Sequence, residues 1–301
     1  QVGSSAASDV YKRQIILSTF FMIPKKPIRI IPFLDIKNGQ LIKGINLEGL
    51  RILGSAKDFA DLYYQDGADE ICYLDNVASL YGTSNLSKFV KNTARKIFVP
   101  LSVAGGIRTL ENSLTMFKAG ADKIVINSEV VENISFLKKN VEKFGSANIS
   151  VLIQTIKIGK RYVISKSNGR DIKNLDPVSW AKKVEDAGAG EIIITSVNNE
   201  GLRKGFDLNI TKKISNAVSL PVIAHGGAGS FKHIYEVIKN TNISGVGIAS
   251  MLHYDAIKYL PKVKSRIGNT DFLDKIKKIK RKKILLSEIK KFLKNKNILT
   301  R

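Results

Sequence analysis

Eight short runs of apolar, mostly β-branched residues recur along the chain: 28–36 (IRIIPFLDI), 70–78 (EICYLDNVA), 99–106 (VPLSVAGG), 123–128 (KIVINS), 149–156 (ISVLIQTI), 191–197 (EIIITSV), 221–227 (PVIAHGG) and 245–250 (GVGIAS). They are nearly continuously apolar, as strands covered on both faces must be. Between most of them lie longer amphipathic stretches of helical period, such as SAKDFADLYYQDGA (55–68) and DPVSWAKKVEDAGA (176–189). Asp176 followed by Pro177 is a helix start, with an N-cap and then a proline at the first helical position. Strand, crossover helix and next strand, repeated through eight strands, predict an α/β chain closed as a (β/α)8 TIM barrel. An open doubly wound sheet is the alternative, but eight regular units favour closure.

The pattern repeats at half the barrel's length. DGADEICYLDNVA (66–78) and AGAGEIIITSVNN (187–199) share a Gly-Ala-x-Glu-Ile core whose glycines, Gly67 and Gly188, lie 121 residues apart. Pro100 and Pro221 are separated by 121 residues, as are Gly105 and Gly226; Ser128 and Ser250 are separated by 122. Four strand-loop units therefore occur twice, which predicts two duplicated half-barrels. Loops after the strands of such a barrel build the site. A Gly-Gly pair there lets backbone approach a ligand, and backbone N–H groups at a helix start hold phosphate. Gly105-Gly106 with Asn127-Ser128 form one predicted cradle. Gly226-Gly227-Ala228-Gly229 with Ala249-Ser250 form the other. A single Gly-Gly is as well explained by a tight turn, whereas a matched pair of them predicts a ligand with a phosphate at each end.

Composition changes the picture little. The 301 residues carry a formal net charge of +23. That invites a nucleic-acid or membrane-surface partner. Much of the excess sits between Lys275 and Lys296, where no stacking aromatics interleave the basic residues, so a solvated lysine-rich surface is the preferred reading and neither nucleic acid nor membrane is an expected partner. The apolar run Ile15–Ile23 is too short to span a bilayer. Cys72 is the single cysteine, so no internal disulfide forms, and a reducing, cytoplasmic compartment fits. Ser4–Gln14 reads like translated adaptor sequence. The expected organisation is a non-native leader over 1–21, a barrel over 22–257, a basic insertion over 258–284 and a last barrel helix over 285–301. His225, His233 and His253 lack partners at ligand spacing, so no metal is expected, and no dinucleotide fingerprint follows the first strand, so no cofactor is expected.

IPFLDIKNGQLIKGINLEGLR (31–51), FVPLSVAGGIRTLEN (98–112), AGADKIVINS (119–128) and LPVIAHGGAG (220–229) resemble the cyclase subunit of imidazole glycerol phosphate synthase. The resemblance covers about 28–257 and returns at 285–298. It implies a barrel that takes ammonia from a glutaminase subunit and turns a bis-phosphorylated ribulosyl intermediate into imidazole glycerol phosphate and an aminoimidazole carboxamide ribotide. It also implies two acid–base carboxylates. Asp35 matches the first, while Gln154 stands where the family has the second; an amide cannot exchange a proton as a carboxylic acid does. A carboxylate restored at 154 is therefore expected to raise the rate. Lys43 and Asp75 match substrate-facing residues, with Thr195 and Gly201 beside them. Glu200 replaces a family aspartate, Val125 a polar residue and His225 a serine; His225 is a candidate for the lost acid–base capacity. The resemblance further implies an ammonia gate of Arg29, Glu70, Lys123 and Glu191, and a glutaminase contact at Asp122. Intact gate residues beneath an altered mouth leave open a paralogous barrel that delivers ammonia in acetamidino-sugar synthesis, or a catalytically silent activator of the glutaminase.

Overall fold

The computed structural model describes residues 26–75, 86–261 and 284–301. Eight strands close into a barrel: β1 (Arg29–Lys37), β4 (Ile71–Asp75), β5 (Leu101–Ala104), β6 (Lys123–Ile126), β7 (Ile149–Ile158), β10 (Glu191–Ser196), β11 (Val222–His225) and β12 (Gly245–Ile248). Each pairs in parallel with its neighbours, and β10 pairing with β7 and β12 with β1 complete the ring. Around it run α1 (Ala56–Gln65), α2 (Leu86–Ala94), α3 (Leu110–Lys118), α4 (Ser128–Glu132), α5 (Ile134–Phe144), α6 (Pro177–Asp186), α7 (Leu208–Ala217), α8 (Phe231–Asn240) and α9 (Ser250–Ala256). This is a (β/α)8 barrel. The predicted strands at 99–106, 123–128 and 245–250 stop two residues earlier in the structure, because their last residues turn away to form loops and the first turns of α4 and α9.

After β1 the chain forms an antiparallel hairpin, β2 (Gln40–Ile45) and β3 (Glu48–Ser55). Its counterpart after β7 is β8 (Arg161–Lys166) with β9 (Asp171–Lys173). The signal was present: Asn38-Gly39 joins Lys37 to Gln40 with both φ angles positive, the two-residue turn that suits strand twist.

The half-barrels superpose in sequence number. β5 and β11 are 121 residues apart, and so are the N-caps Thr109 and Ser230, whose side chains each accept from the backbone N–H three residues on. Asn127 (φ −130°, ψ −84°) and Ala249 (φ −127°, ψ −90°) share one unusual backbone conformation ahead of α4 and α9. Register carries the symmetry further. Asp35 lies opposite Leu74 and Gln154 opposite Thr195, and Leu74 and Thr195 are themselves 121 residues apart, so Gln154 is the half-barrel counterpart of Asp35.

Two apolar layers hold the barrel. The outer one lies between strands and helices and includes Ile30, Leu34, Phe59, Tyr73 and Ile194. The inner one fills the barrel with Ile31, Phe33, Cys72, Leu152, Ile193 and Ile223 among others. Period two explains the division: on β1, residues 30, 34 and 36 face the helices, while 31 and 33 face inward. Burying each large aliphatic side chain contributes about 2 kcal/mol. A final helix, α10 (Leu286–Lys294), adds Leu286, Ile289 and Leu293 to the outer layer. Asp66 accepts from the Leu286 N–H at 2.7 Å, and Lys290 Nζ meets Asp69 Oδ1 at 2.6 Å. No helix among the described residues is long and apolar enough to cross a membrane.

Candidate functional site

Following the inward face of the strands from bottom to top gives three zones. The strand starts contribute charge. Arg29 Nη1 donates to Glu70 Oε2 at 2.8 Å, and its Nη2 to Glu191. Lys123 Nζ lies 3.3 Å from both Glu70 Oε2 and Glu191 Oε1. Ser102 and Ser150 donate to the same two carboxylates. The four predicted gate residues thus form one closed ring, in which each charge has two opposite neighbours. Burial works against the charge of Arg29, but Glu191 and Glu70 outweigh it and hold its pKa above the ordinary arginine value. Asp122 is exposed at this end and accepts from the Leu101 N–H at 2.8 Å. The middle zone is the apolar inner layer.

At the top, Asp35 on β1, Gln154 on β7, Thr195 on β10 and His225 on β11 stand where the inner layer below them is apolar. On β1 the inward series Arg29, Ile31, Phe33 ends in Asp35, which is buried. Lys43, on β2, reaches it: Lys43 Nζ lies 2.5 Å from Asp35 Oδ2 and is also bonded to Glu200, which comes from the loop after β10. All three side chains are at most 3% exposed. Burial alone would lower the lysine pKa, but the two carboxylates outweigh it and keep Lys43 above its ordinary range. Burial also raises the Glu200 carboxyl, with Lys43 opposing that rise and Asp35 adding to it. The hairpin tip is fastened across the mouth, since Asn46 N donates to Glu200 O and Asn46 Nδ2 to the carbonyls of Val197 and Asn198.

Both predicted cradles lie in this mouth as matching clefts. The first, about 550 Å³ including space open to solvent, is lined by Asp75, Gly105, Gly106, Asn127, Ser128 and Gln154 among others. The second, about 200 Å³, is lined by Glu200, Gly201, His225, Gly226, Gly227, Ala249 and Ser250 with Ala228 and Gly247. Glycine is required in each. Gly105 has φ +108°, and a Cβ there would stand 2.6 Å from Asp75; Gly226 has φ +89°, and a Cβ would stand 2.9 Å from Ser196 O, the symmetry counterpart. Asn127 Oδ1 in one cleft and Ser250 Oγ in the other are buried and have no hydrogen-bond partner among the described residues. Two helix starts, two glycine turns and a buried polar atom at each end suit a dianionic ligand laid across the barrel.

Three replacements noted in the sequence now have surroundings. Gln154 Oε1 accepts from the Gly169 N–H at 3.3 Å, which ties it to the β8–β9 loop, and Ser167 N donates to Ser128 Oγ beside it. His225 stacks on Phe33, with ring centroids 4.4 Å apart, and its Nδ1 meets Thr195 Oγ1 at 2.9 Å. Burial, with the Lys43 charge, pushes His225 down to about 3, so it is neutral at ordinary pH. Val125 lies in the inner layer. Sequence reading missed Phe33, Asn46 and the Ser167–Gly169 loop as parts of the mouth; nothing in their local sequence marks them, because each contacts residues remote along the chain. Among the described residues no cluster of His, Cys, Asp and Glu side chains could hold a metal ion.

Fold and mouth together define a duplicated α/β barrel with two matching glycine-turn clefts beside a buried, charge-paired polar centre. Comparison with known proteins names the class further: the chain belongs to the family described as histidine biosynthesis protein, which matches residues 29–258. A Legionella pneumophila protein named imidazole glycerol phosphate synthase subunit HisF is 44% identical over 206 residues, covering 68% of this chain and 97% of that protein. Proteins of the same name from Sulfurisphaera tokodaii and Bacillus cereus strain Q1 are 39% and 41% identical, covering 78% and 75% of this chain and 94% and 90% of their own lengths.

Proposed function

We infer that this chain is the cyclase-type subunit of an imidazole glycerol phosphate synthase, acting in histidine biosynthesis with ammonia from a partner glutaminase. The observation that carries the reading is the pair of matched anion clefts, Gly105-Gly106 with Asn127-Ser128 and Gly226-Gly227 with Ala249-Ser250, set on either side of Asp35. A bis-phosphorylated ribulosyl aminoimidazole intermediate has a phosphate for each cleft and a reacting centre between them. Asp35 serves as acid–base group, and Lys43, Asp75, Thr195, Glu200 and Gly201 surround the substrate. The Arg29–Glu70–Lys123–Glu191 ring admits ammonia at the lower end. Ammonia is neutral and can cross the apolar middle zone, whereas ammonium would bear the cost of an unpaired buried charge. Asp122, exposed beside the ring, belongs to the surface that meets the glutaminase.

The test supplies the full chain with the bis-phosphorylated intermediate and an ammonium salt. Turnover to imidazole glycerol phosphate and the carboxamide ribotide is expected without the glutaminase, and with glutamine as nitrogen source only when the glutaminase is present. A well-folded chain that gives no product under either condition would end this reading. Gln154 favours a second reading, because the carboxylate expected there is missing: a barrel that delivers ammonia to a different acceptor, or that only activates its glutaminase. Stimulated glutaminase with no cyclisation would distinguish it.

A further inference from the structure

Addition of ammonia to a carbonyl moves two protons: the nitrogen gives one up and the oxygen gains one. Two groups placed for these transfers do this better than one. The twofold symmetry pairs Asp35 with Gln154, and Gln154 cannot take the second part. Its amide has no proton to exchange near neutral pH, and its Oε1 is held by the Gly169 N–H.

We propose that Glu200 is the second proton-transfer group of this mouth, working with Asp35 through the lysine they share. The proposal rests on the cyclase reading above and deepens it. Glu200 lines the second cleft beside His225, Gly247 and Ser250, so it fronts the space a ligand would fill. Its backbone is fixed by the Asn46 N–H at 2.8 Å. Its carboxylate and that of Asp35 hold the same Lys43 ammonium, which places the two close together at one side of the mouth. Asp35 and Lys43 face it from β1 and β2, His225 stands beside it from β11, and Tyr254 of α9, itself bonded to Arg51 of β3, lies within its field. The rival, His225, is committed elsewhere: its ring is stacked on Phe33 and its Nδ1 is engaged with Thr195.

The addition step balances with these groups. The nitrogen lone pair forms the N–C bond and the carbonyl π pair moves to oxygen. Lys43 first passes one proton to the Glu200 carboxylate; the oxygen takes that proton, and the Asp35 carboxylate takes a proton from the nitrogen. Asp35 then gives a proton back to Lys43, which restores the starting charges of one ammonium and two carboxylates.

The experiment measures ammonium-driven turnover of the bis-phosphorylated intermediate by the wild-type chain, Glu200→Gln, Gln154→Asp and the double variant, with melting curves as a check of folding. Wild type is read first, and absence of turnover there overturns the cyclase reading and this proposal with it. Given wild-type turnover, Glu200→Gln should lower kcat at least 100-fold while KM changes less than fivefold, with one limb of the pH profile lost. Gln154→Asp alone should raise kcat less than threefold. In the Glu200→Gln background it should recover at least tenfold, because a carboxylate is returned from the other half-barrel. If Glu200→Gln does not fold, Glu200→Ser provides the same comparison, since it also removes the carboxyl group. A Glu200→Gln rate within threefold of wild type, or a loss that Gln154→Asp leaves unrelieved, overturns the proposal.

Discussion

Lys43 is the most deeply buried charged side chain among the described residues. It is fully buried between two carboxylates, and removing it would take away the ammonium that both hold. Breaking such a group by deleting one partner costs about 3–5 kcal/mol. Lys43→Met is therefore expected to lower the free energy of unfolding by that order, measured by urea denaturation at pH 7, and to abolish turnover. The buried histidines give a second prediction at this scale. His225 is held down to about 3 and His253 to about 4, chiefly by burial; His253 Nδ1 also meets Tyr63 Oη at 2.7 Å and its Nε2 meets Phe33 O at 2.8 Å. Between about pH 6.5 and these values the unfolded chain binds protons that the folded chain refuses. Stability is then complete above pH 6.5 and falls as pH drops, by about 2 kcal/mol for each histidine at pH 5. Glu200, raised by burial, acts with the opposite sign, losing stability as pH rises above the unfolded glutamate range. Denaturation at pH 7 and pH 5 reads the net slope, which a His225→Asn, His253→Asn double variant should flatten.

Among the elements, the β2–β3 hairpin decides how the mouth is closed. Its strands pair with each other and with the end of β1, but its tip is held to the β10 loop chiefly by Asn46. Asn46 also has φ +51°, a conformation asparagine tolerates better than other non-glycine residues. Asn46→Ala loses two side-chain hydrogen bonds and adds backbone strain, together about 2 kcal/mol. Amide hydrogen exchange over 40–55 should then quicken by more than tenfold while the core strands of the barrel keep their protection. Unchanged exchange in the hairpin would show that the tip is held by other contacts. The helices that follow the two glycine turns are fixed more simply: Thr109 and Ser230 are the N-caps of α3 and α8 at equivalent places, and replacing either with alanine should cost about 1 kcal/mol.

At the scale of the whole barrel, the charge ring and the mouth sit at opposite ends of the same strands. Arg29 and Asp35 are six residues apart on β1, so about 20 Å of strand separates them. Glu191→Gln leaves Arg29 and Lys123 sharing Glu70 alone, and should destabilise by about 2–4 kcal/mol, measured by thermal or urea unfolding. In the proposed complex, Lys123→Ala should change glutamine-driven turnover at least fivefold more than ammonium-driven turnover, since free ammonia has the open mouth as another way in. Equal effects on both would remove the gate from the reading. The twelve-stranded sheet, with both hairpins, keeps the two ends distinct: hairpins extend only beyond the carboxyl ends of β1 and β7, over the clefts and away from the ring.

Much of this was open to reading in the chain itself. Near-continuous apolar runs marked all eight barrel strands, because a strand covered on both faces has no choice of pattern. The 121-residue repeat marked both clefts, because a glycine at positive φ against a neighbouring strand tolerates no other side chain. The turn from β1 into β2 was as legible, through Asn38-Gly39. What only the tertiary structure decided is which polar groups meet. Lys43 bonds to Asp35 eight residues away and to Glu200 157 residues away, and Gln154 is tied to Gly169 across a hairpin. Such partners are chosen by the closure and register of the barrel, which bring distant strand ends within a hydrogen bond of each other; local periodicity is set by backbone geometry and carries no record of that choice.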